Sequence, residues 1–272
     1  MQSEKVHFTK VQETLLVTLY FKALDSRSKH PLLHDKAAEE ALSRIDYDFR
    51  KVKLPKGSAL GMVIRAKQLD RWTAAFLAEH PDATVLHLGC GLDSRVERID
   101  PPTSVRWYDL DYPEVIEFRR RLYPPRDGYS LIGSDVSDPS FLDQVSRDQP
   151  AIIVAEGLLM YLSDEEVKEL FQRLTDHFKS GQVAFDAHSR LSLRLAKLSP
   201  AISRLGVEVR WGIDDPRELE QWVPRLQLVT EVALTETPEI ARLSWTQRAL
   251  SRMMNHLPVL RRLERYLLYR FE

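Results

Sequence analysis

Only one cysteine, Cys90, stands among the 272 residues, so no disulfide can form within the chain and nothing points to an oxidising compartment. No apolar run approaches the ~20 residues needed to cross a bilayer. Met1 to His7 offers neither an apolar core nor a small-residue cleavage site, so it does not read as a signal peptide, and the expected location is the cytoplasm. Net charge is missing too: 39 Lys and Arg against 40 Asp and Glu leave -1, without the basic face that nucleic-acid binding needs. A local basic run, Arg261-Arg262 with Arg265 and Arg270, reads as the solvated side of a helix. No group of Asp, Asn and His at ligand spacing calls for a metal. The expected partner is a small-molecule substrate, with neither nucleic acid nor membrane, and the chain should act as a monomer or homodimer.

Hydrophobic residues at 43% and charged residues at 29% are ordinary for a globular chain, and the length permits one domain with a cap. Residues 1–80 read as that helical cap and the helix leading into an α/β domain at 81–272. Leu15, Leu16, Leu19 and Phe21 recur as on a helix until His30-Pro31 breaks the pattern. Asp35 can cap a second helix, a polar connector runs from Asp46 to Gly57, and a third helix should run from Ser58 to Glu79, ahead of Pro81. The period then changes. Strands are expected at 83–89, 104–111, 129–135, 151–157 and 182–188, separated by helices, one starting at Pro113 and one at the capping-box match Ser163-Asp-Glu-Glu166. Alternating strands and helices predict a doubly wound, mostly parallel sheet. Residues 189–222 read as a substrate-side insertion, with 207–211 ambiguous and a short helix at 215–222. A strand at 226–235, helix from Trp245 to Leu263 interrupted by Pro258, and a last strand at 266–271 complete the pass.

The chemistry concentrates at four strand ends. Val85-Leu-His-Leu-Gly-Cys-Gly-Leu-Asp93 closes the first strand with a glycine turn, where a ligand can approach backbone unobstructed by a Cβ. Asp111 ends the second strand twenty residues after Gly91, placed to accept hydrogen bonds from ribose hydroxyls. Asp135 ends the third, suited to an adenine amine, and Glu156 the fourth. Gly-x-Gly alone is common; four such ends in register are not. Simpler roles stay open beside these: a plain tight turn at Gly89 and Gly91, an Asx turn at Asp135, and Asp109 in place of Asp111. Cys90, with no Cys-His arrangement around it, reads as a small residue in the turn.

A nicotinamide-binding unit also wants an acid about twenty residues on, but it wants a third small residue, Gly or Ala, where Ser94 stands. It also needs a helix N-terminus clear for pyrophosphate, and Asp93 occupies that place. An acid there suits a ligand with a cationic amino-acid end and no phosphate, the character of S-adenosylmethionine.

The strings Glu13-Thr-Leu-Leu, Asp46-Tyr-Asp-Phe49, Leu88-Gly-Cys-Gly-Leu-Asp-Ser-Arg95, Trp107-Tyr-Asp-Leu-Asp-Tyr-Pro-Glu-Val115 and Ala155-Glu-Gly-Leu-Leu-Met-Tyr-Leu162 resemble the leucine carboxyl methyltransferase family. Within it, they are most similar to the bacterial branch typified by a tetracenomycin polyketide O-methyltransferase. The resemblance implies a class I S-adenosylmethionine-dependent methyltransferase fold, Rossmann-like, with seven strands, the last antiparallel, and a helical N-terminal cap. It puts Arg65 on the methionine carboxylate of the cofactor, Gly89 on its methionine portion, Asp111 on the ribose, Asp135 and Val136 on the adenine, and Glu156 on the ammonium. Gly91 and Asp93 belong to the same cofactor loop. Members usually carry arginine where Lys22 stands here, which keeps the charge and loses the planar fork.

The implied activity is O-methylation of a small molecule, polyketide-like or another secondary metabolite. Methylation of a protein C-terminal leucine and a non-catalytic cofactor-binding role stand as alternatives. A carboxylate acceptor is already ionised at neutral pH and requires no base; a phenol or alcohol would call on Tyr161 or His188 as candidate catalytic residues. Trp211 and Tyr20 are candidates for an aromatic pocket wall.

Overall fold

The protein is described by a computed structural model over residues 4–5, 10–49, 56–198, 208–243 and 245–272. Seven strands form one sheet: β1 (Thr84–Leu88), β2 (Arg106–Asp111), β3 (Tyr129–Gly133), β4 (Ala151–Ala155), β5 (Gly181–His188), β6 (Leu226–Ala233) and β7 (Glu264–Phe271). Their order across the sheet is β3-β2-β1-β4-β5-β7-β6. The first five run parallel, and β7 runs antiparallel to both β5 and β6. β1 and β4 lie at the centre and are buried on both faces. That is why β4 reads as an unbroken apolar run, and β1 as one interrupted after Val85-Leu86 only by His87, rather than as alternating strands.

Ten helices accompany the sheet among the described residues: α1 (Lys10–Ser26), α2 (Lys36–Ser43), α3 (Lys56–Glu79), α4 (Arg95–Ile99), α5 (Pro113–Leu122), α6 (Asp164–His177), α7 (Arg190–Lys197), α8 (Glu218–Trp222), α9 (Trp245–His256) and α10 (Pro258–Arg261). The local signals act as physics dictates. Asp35 accepts the Ala38 N–H at 2.9 Å to cap α2. Ser163 and Glu166 satisfy each other's backbone N–H groups, at 3.2 and 2.7 Å, at the start of α6.

Leu69, Phe76 and Leu77 of α3 pack on Val85, Trp107, Ile152 and Val154, so α3 covers one face of the sheet. Val167, Leu170, Phe171 and Leu174 of α6 cover the other, against Leu86, Ile153 and Phe185. Each such fully buried side chain contributes about 1.5–3 kcal/mol. Helices α1 and α2 sit elsewhere. Leu16, Leu19, Ala41 and Leu42 pack on Leu92, Phe118 and Leu122, which fixes the cap to α5 and to the turn after β1.

Several details differ from the sequence reading. Ile45 and Asp46, the second expected to open a polar connector, pair in parallel with residues 4–5 as a two-residue ladder; residues 50–55 of that connector lie outside the described residues. So do residues 199–207 of the expected insertion. The last strand begins at Glu264, which corrects the reading of the basic run. Arg265 is a fully buried strand residue paired with Glu231 at 3.0 Å, and Arg270 also lies on β7, so neither belongs to a solvated helix face.

Candidate active site

The chain leaves β1 towards β2 and β3, then returns to place β4 on the other side of β1. At the carboxyl edge of this switch lies a cleft of about 330 Å³. Its walls come from four strand ends: Gly89 after β1, Asp111 and Tyr112 at β2, Asp135 and Val136 after β3, and Leu158 and Tyr161 after β4. Leu110 and Leu162 make the walls apolar, and Glu166, Glu208 and Arg210 stand at the rim.

Gly89 adopts a φ of +59°, and a Cβ there would come 3.0 Å from Leu158 Cδ1. Gly91, at φ +51°, would drive a Cβ to 2.8 Å from Leu15 of α1. A side chain at either position meets both strain and a wall. Gly91 N–H donates to Asp111 Oδ2 at 2.7 Å, and Tyr112 N–H donates to Asp111 Oδ1 at 2.8 Å. Burial raises the Asp111 carboxyl above its ordinary pKa, and those two N–H donors oppose the rise.

Asp109, its competitor in the sequence, points elsewhere. It is buried beneath the turn, accepting from Trp107 Nε1 at 2.8 Å, from the Tyr129 hydroxyl at 2.7 Å and from Arg119. Burial alone would raise its pKa; Arg119 and His87 outweigh that and hold it down at about 2. Arg95 NH1 lies 2.8 Å from His87 Nε2. A guanidinium can only donate, so Nε2 accepts and Nδ1 carries the proton towards Asp109 at 3.2 Å. Asp135 does form an Asx turn, accepting Ser137 N–H at 2.8 Å, while its carboxylate also lines the cleft.

A buried ionic network adjoins the cleft. Glu156, just past β4, is contacted by Lys22 of α1 at 3.2 Å, by Arg65 of α3 at 3.4 Å and by Arg95 of α4. Lys22 also pairs with Asp93 at 3.0 Å, and Arg98 binds Asp93, Asp35 and Asp70 together. Arg65 reaches on to Asp186 of β5 at 3.1 Å, and Asp186 accepts the Gly157 N–H at 2.6 Å. Burial pushes the Glu156 and Asp93 carboxyls up, but the surrounding cations win and hold both below the ordinary carboxylate range.

The structure therefore sorts the sequence candidates into groups. Gly89, Asp111, Asp135, Val136 and Tyr161 share the cleft. Lys22, Arg65, Asp93 and Glu156 share the network, where the charge of Asp93 is met by the chain's own Lys22, Arg95 and Arg98. Gly91 links the two: its N–H donates to Asp111, and Arg119 NH1 donates both to the Gly91 carbonyl at 3.0 Å and to the Asp93 carbonyl at 2.7 Å. His188 lies outside the cleft lining, its Nε2 3.8 Å from Asp186 Oδ2. Burial raises the Tyr161 hydroxyl pKa. Trp211 is a core residue against Phe185, not a pocket wall, and Tyr20 stacks on Phe49 at 5.0 Å. Cys90 is buried, and burial pushes its thiol well above the ordinary value, which removes it as a nucleophile.

The sequence reading missed Asp186, Asp70 and Arg98. A signal existed for the first: an acid two residues before His188 at the carboxyl end of a buried strand.

Similarity to known proteins agrees with this geometry. The chain is 44% identical over 268 residues to the tetracenomycin polyketide synthesis O-methyltransferase TcmP of Streptomyces glaucescens, covering 98% of this chain and 99% of that one. It is 35% identical over 244 residues to the S-adenosyl-L-methionine-dependent methyltransferase dpfgK of Gibberella zeae, covering 82% of each. The crystal structure of a DUF574 family protein from Streptomyces avermitilis matches with a TM-score of 0.64 over 97% of this chain and 100% of that one; at 14% identity the likeness is one of fold. The leucine carboxyl methyltransferase family model matches residues 15–175, more than half of the length. The chain belongs to the leucine carboxyl methyltransferase family and is a methyltransferase.

Proposed function

We propose that this chain is an S-adenosylmethionine-dependent O-methyltransferase whose acceptor is a carboxylate on a small, polyketide-like molecule. The observation that carries the reading is Asp111, held by the Gly91 N–H beside the left-handed Gly89 on the wall of the cleft. The residues fit the cofactor: carboxylates at Asp111 and Asp135 accept from hydroxyl and amine groups, and Leu110, Val136 and Leu158 offer apolar walls to an adenine plane. Bound, S-adenosylmethionine supplies a methyl group on a sulfonium, open to attack along the carbon–sulfur axis.

What the chain contributes is placement and a dry, charge-balanced setting. Asp111 would take the ribose, Asp135 and Val136 the adenine, and Gly89 the methionine chain. Lys22 and Arg65 would hold the amino-acid carboxylate and Glu156 the ammonium. Lys22 and Arg65 already pair with Glu156, and a zwitterion carries no net charge, so it can exchange partners within the network without adding net buried charge. The cap helices and the segment 189–222 would frame the acceptor.

The carboxylate acceptor draws support from Tyr161. A tyrosine hydroxyl is protonated at neutral pH at its ordinary pKa, and this one is shifted further up, so it donates rather than removes a proton. An acceptor that is already ionised suits such a wall. The family name points the same way, and the O-methyltransferase relative supports transfer to oxygen. The test is transfer of labelled methyl from S-adenosylmethionine to aromatic polyketide acids: an alkali-labile ester is expected, and an alkali-stable ether would refute the carboxylate.

A further inference from the structure

Two helical segments near the carboxyl edge of the sheet are built inside out. In α9, the one buried residue is Ser251. Arg248 and Asn255 also turn inward, binding Ala241 O and Thr235 O at 3.3 Å each. The apolar residues point away from the fold: Trp245 is 75% exposed, and Leu250, Met253, Leu257 and Val259 are each about half exposed. In α7, Leu193 packs inward while Leu191, Leu195 and Leu198, at i, i+4 and i+7, form an outward stripe that ends in Leu198 at 80% exposure. The segments meet where Ser189 N–H donates to Leu263 O at 3.3 Å, beside the pairing of β5 with β7. A soluble helix ordinarily faces its apolar stripe to the core, so two outward stripes mark a surface that something else covers.

The charge pattern says what. Residues 190–198 and 245–263 hold seven Arg and Lys and no Asp or Glu, in a chain with 39 basic and 40 acidic residues. Arg190 and Arg261 pair with Glu218 and Glu236. Among the described residues, no carboxylate lies within ion-pair distance of Arg194, Lys197, Arg252 or Arg262. Two copies joined through this face would oppose cation to cation. Outward Trp, Leu, Met and Val set among exposed arginines are the composition of a helix lying in a lipid headgroup layer.

We propose that α7 and α9–α10 form a docking face for an anionic lipid bilayer. The face shares its sheet edge with the cleft, so docking holds the cleft close to the bilayer surface, where a lipophilic acceptor partitions. This reverses the expectation of no membrane partner, which rested on the lack of an apolar run long enough to cross a bilayer; a helix lying in the headgroup layer needs no such run.

The experiment is co-sedimentation of the full chain with phosphatidylcholine vesicles, with and without phosphatidylglycerol, alongside sedimentation velocity of the protein alone. Expected are pelleting with the anionic vesicles alone, suppression by salt, and a roughly tenfold or greater loss of partition in both Leu250→Glu/Met253→Glu and Arg252→Gln/Arg262→Gln. All four side chains are solvent-facing already, so thermal unfolding serves to show both variants folded. Failure to pellet with anionic vesicles at low salt overturns the proposal. So does soluble polyglutamate that binds the wild type and displaces it from the anionic vesicles, which would assign the face to an acidic polypeptide, or a dimer that the glutamate variant dissolves, which would assign it to a second copy.

Discussion

Asp111 Oδ2 accepts the Gly91 N–H at 2.7 Å, so the end of β2 clamps the turn that leaves β1. The clamp sets where a ligand can lie, because the same turn presents Gly89 to the cleft at a φ only glycine adopts without strain.

Gly89→Ala should therefore damage binding more than folding. The left-handed backbone costs about 1–2 kcal/mol for any other residue, and the new methyl meets Leu158 Cδ1 at 3.0 Å. Titration with S-adenosylhomocysteine should show affinity lowered roughly tenfold or more. Wild-type affinity would mean that no ligand approaches this backbone.

Glu156→Gln should destabilise the fold. The change leaves Lys22, Arg65 and Arg95 without their shared carboxylate in a buried site. Removing one partner of a buried ionic cluster costs about 3–5 kcal/mol. Urea unfolding would register this as a lower midpoint at unchanged slope, whereas an unshifted midpoint would mean the network carries no stability.

Acid should act on Asp109. Its carboxyl lies at about 2 in the fold against an ordinary 3.8. A depressed folded pKa stabilises fully above the ordinary value, and that stability is lost as pH falls from about 4 towards 2. The contribution is on the order of 2 kcal/mol. The stability gap between wild type and Asp109→Asn should accordingly shrink across that window. A gap that stays constant would refute the assignment.

Cys90 should resist thiol reagents in the folded protein, because it is buried and its thiol is pushed well above the ordinary value. Cys90→Ala should keep methyl transfer at the wild-type rate. Fast labelling of native protein with loss of activity would contradict this.

The carboxyl edge was legible in the sequence because the change of period marks strands, and Gly89, Asp111, Asp135 and Glu156 each stand at a strand end, where short-range pattern suffices. The network was not. Arg65 and Asp186, or Arg98 and Asp70, meet only after α3 is laid across the sheet, and one sequence carries no sign of such distant pairs. Periodicity also marks an apolar stripe without its direction. Leu191, Leu195 and Leu198 look like a core face in the chain and turn out to face solvent. The basic run misled for a related reason: Arg265 stands close in sequence to Arg261, while β7 lies between β5 and β6 and is buried from Arg265 to Tyr269.

The most direct measurement is calorimetric titration of S-adenosylhomocysteine into the wild type and into Asp111→Ala, with thermal melting of both. The expected result is saturable binding by the wild type, affinity lower by roughly tenfold or more in the variant, and closely similar melting. Equal affinity in a folded Asp111→Ala protein would contradict the assignment of this cleft to the cofactor.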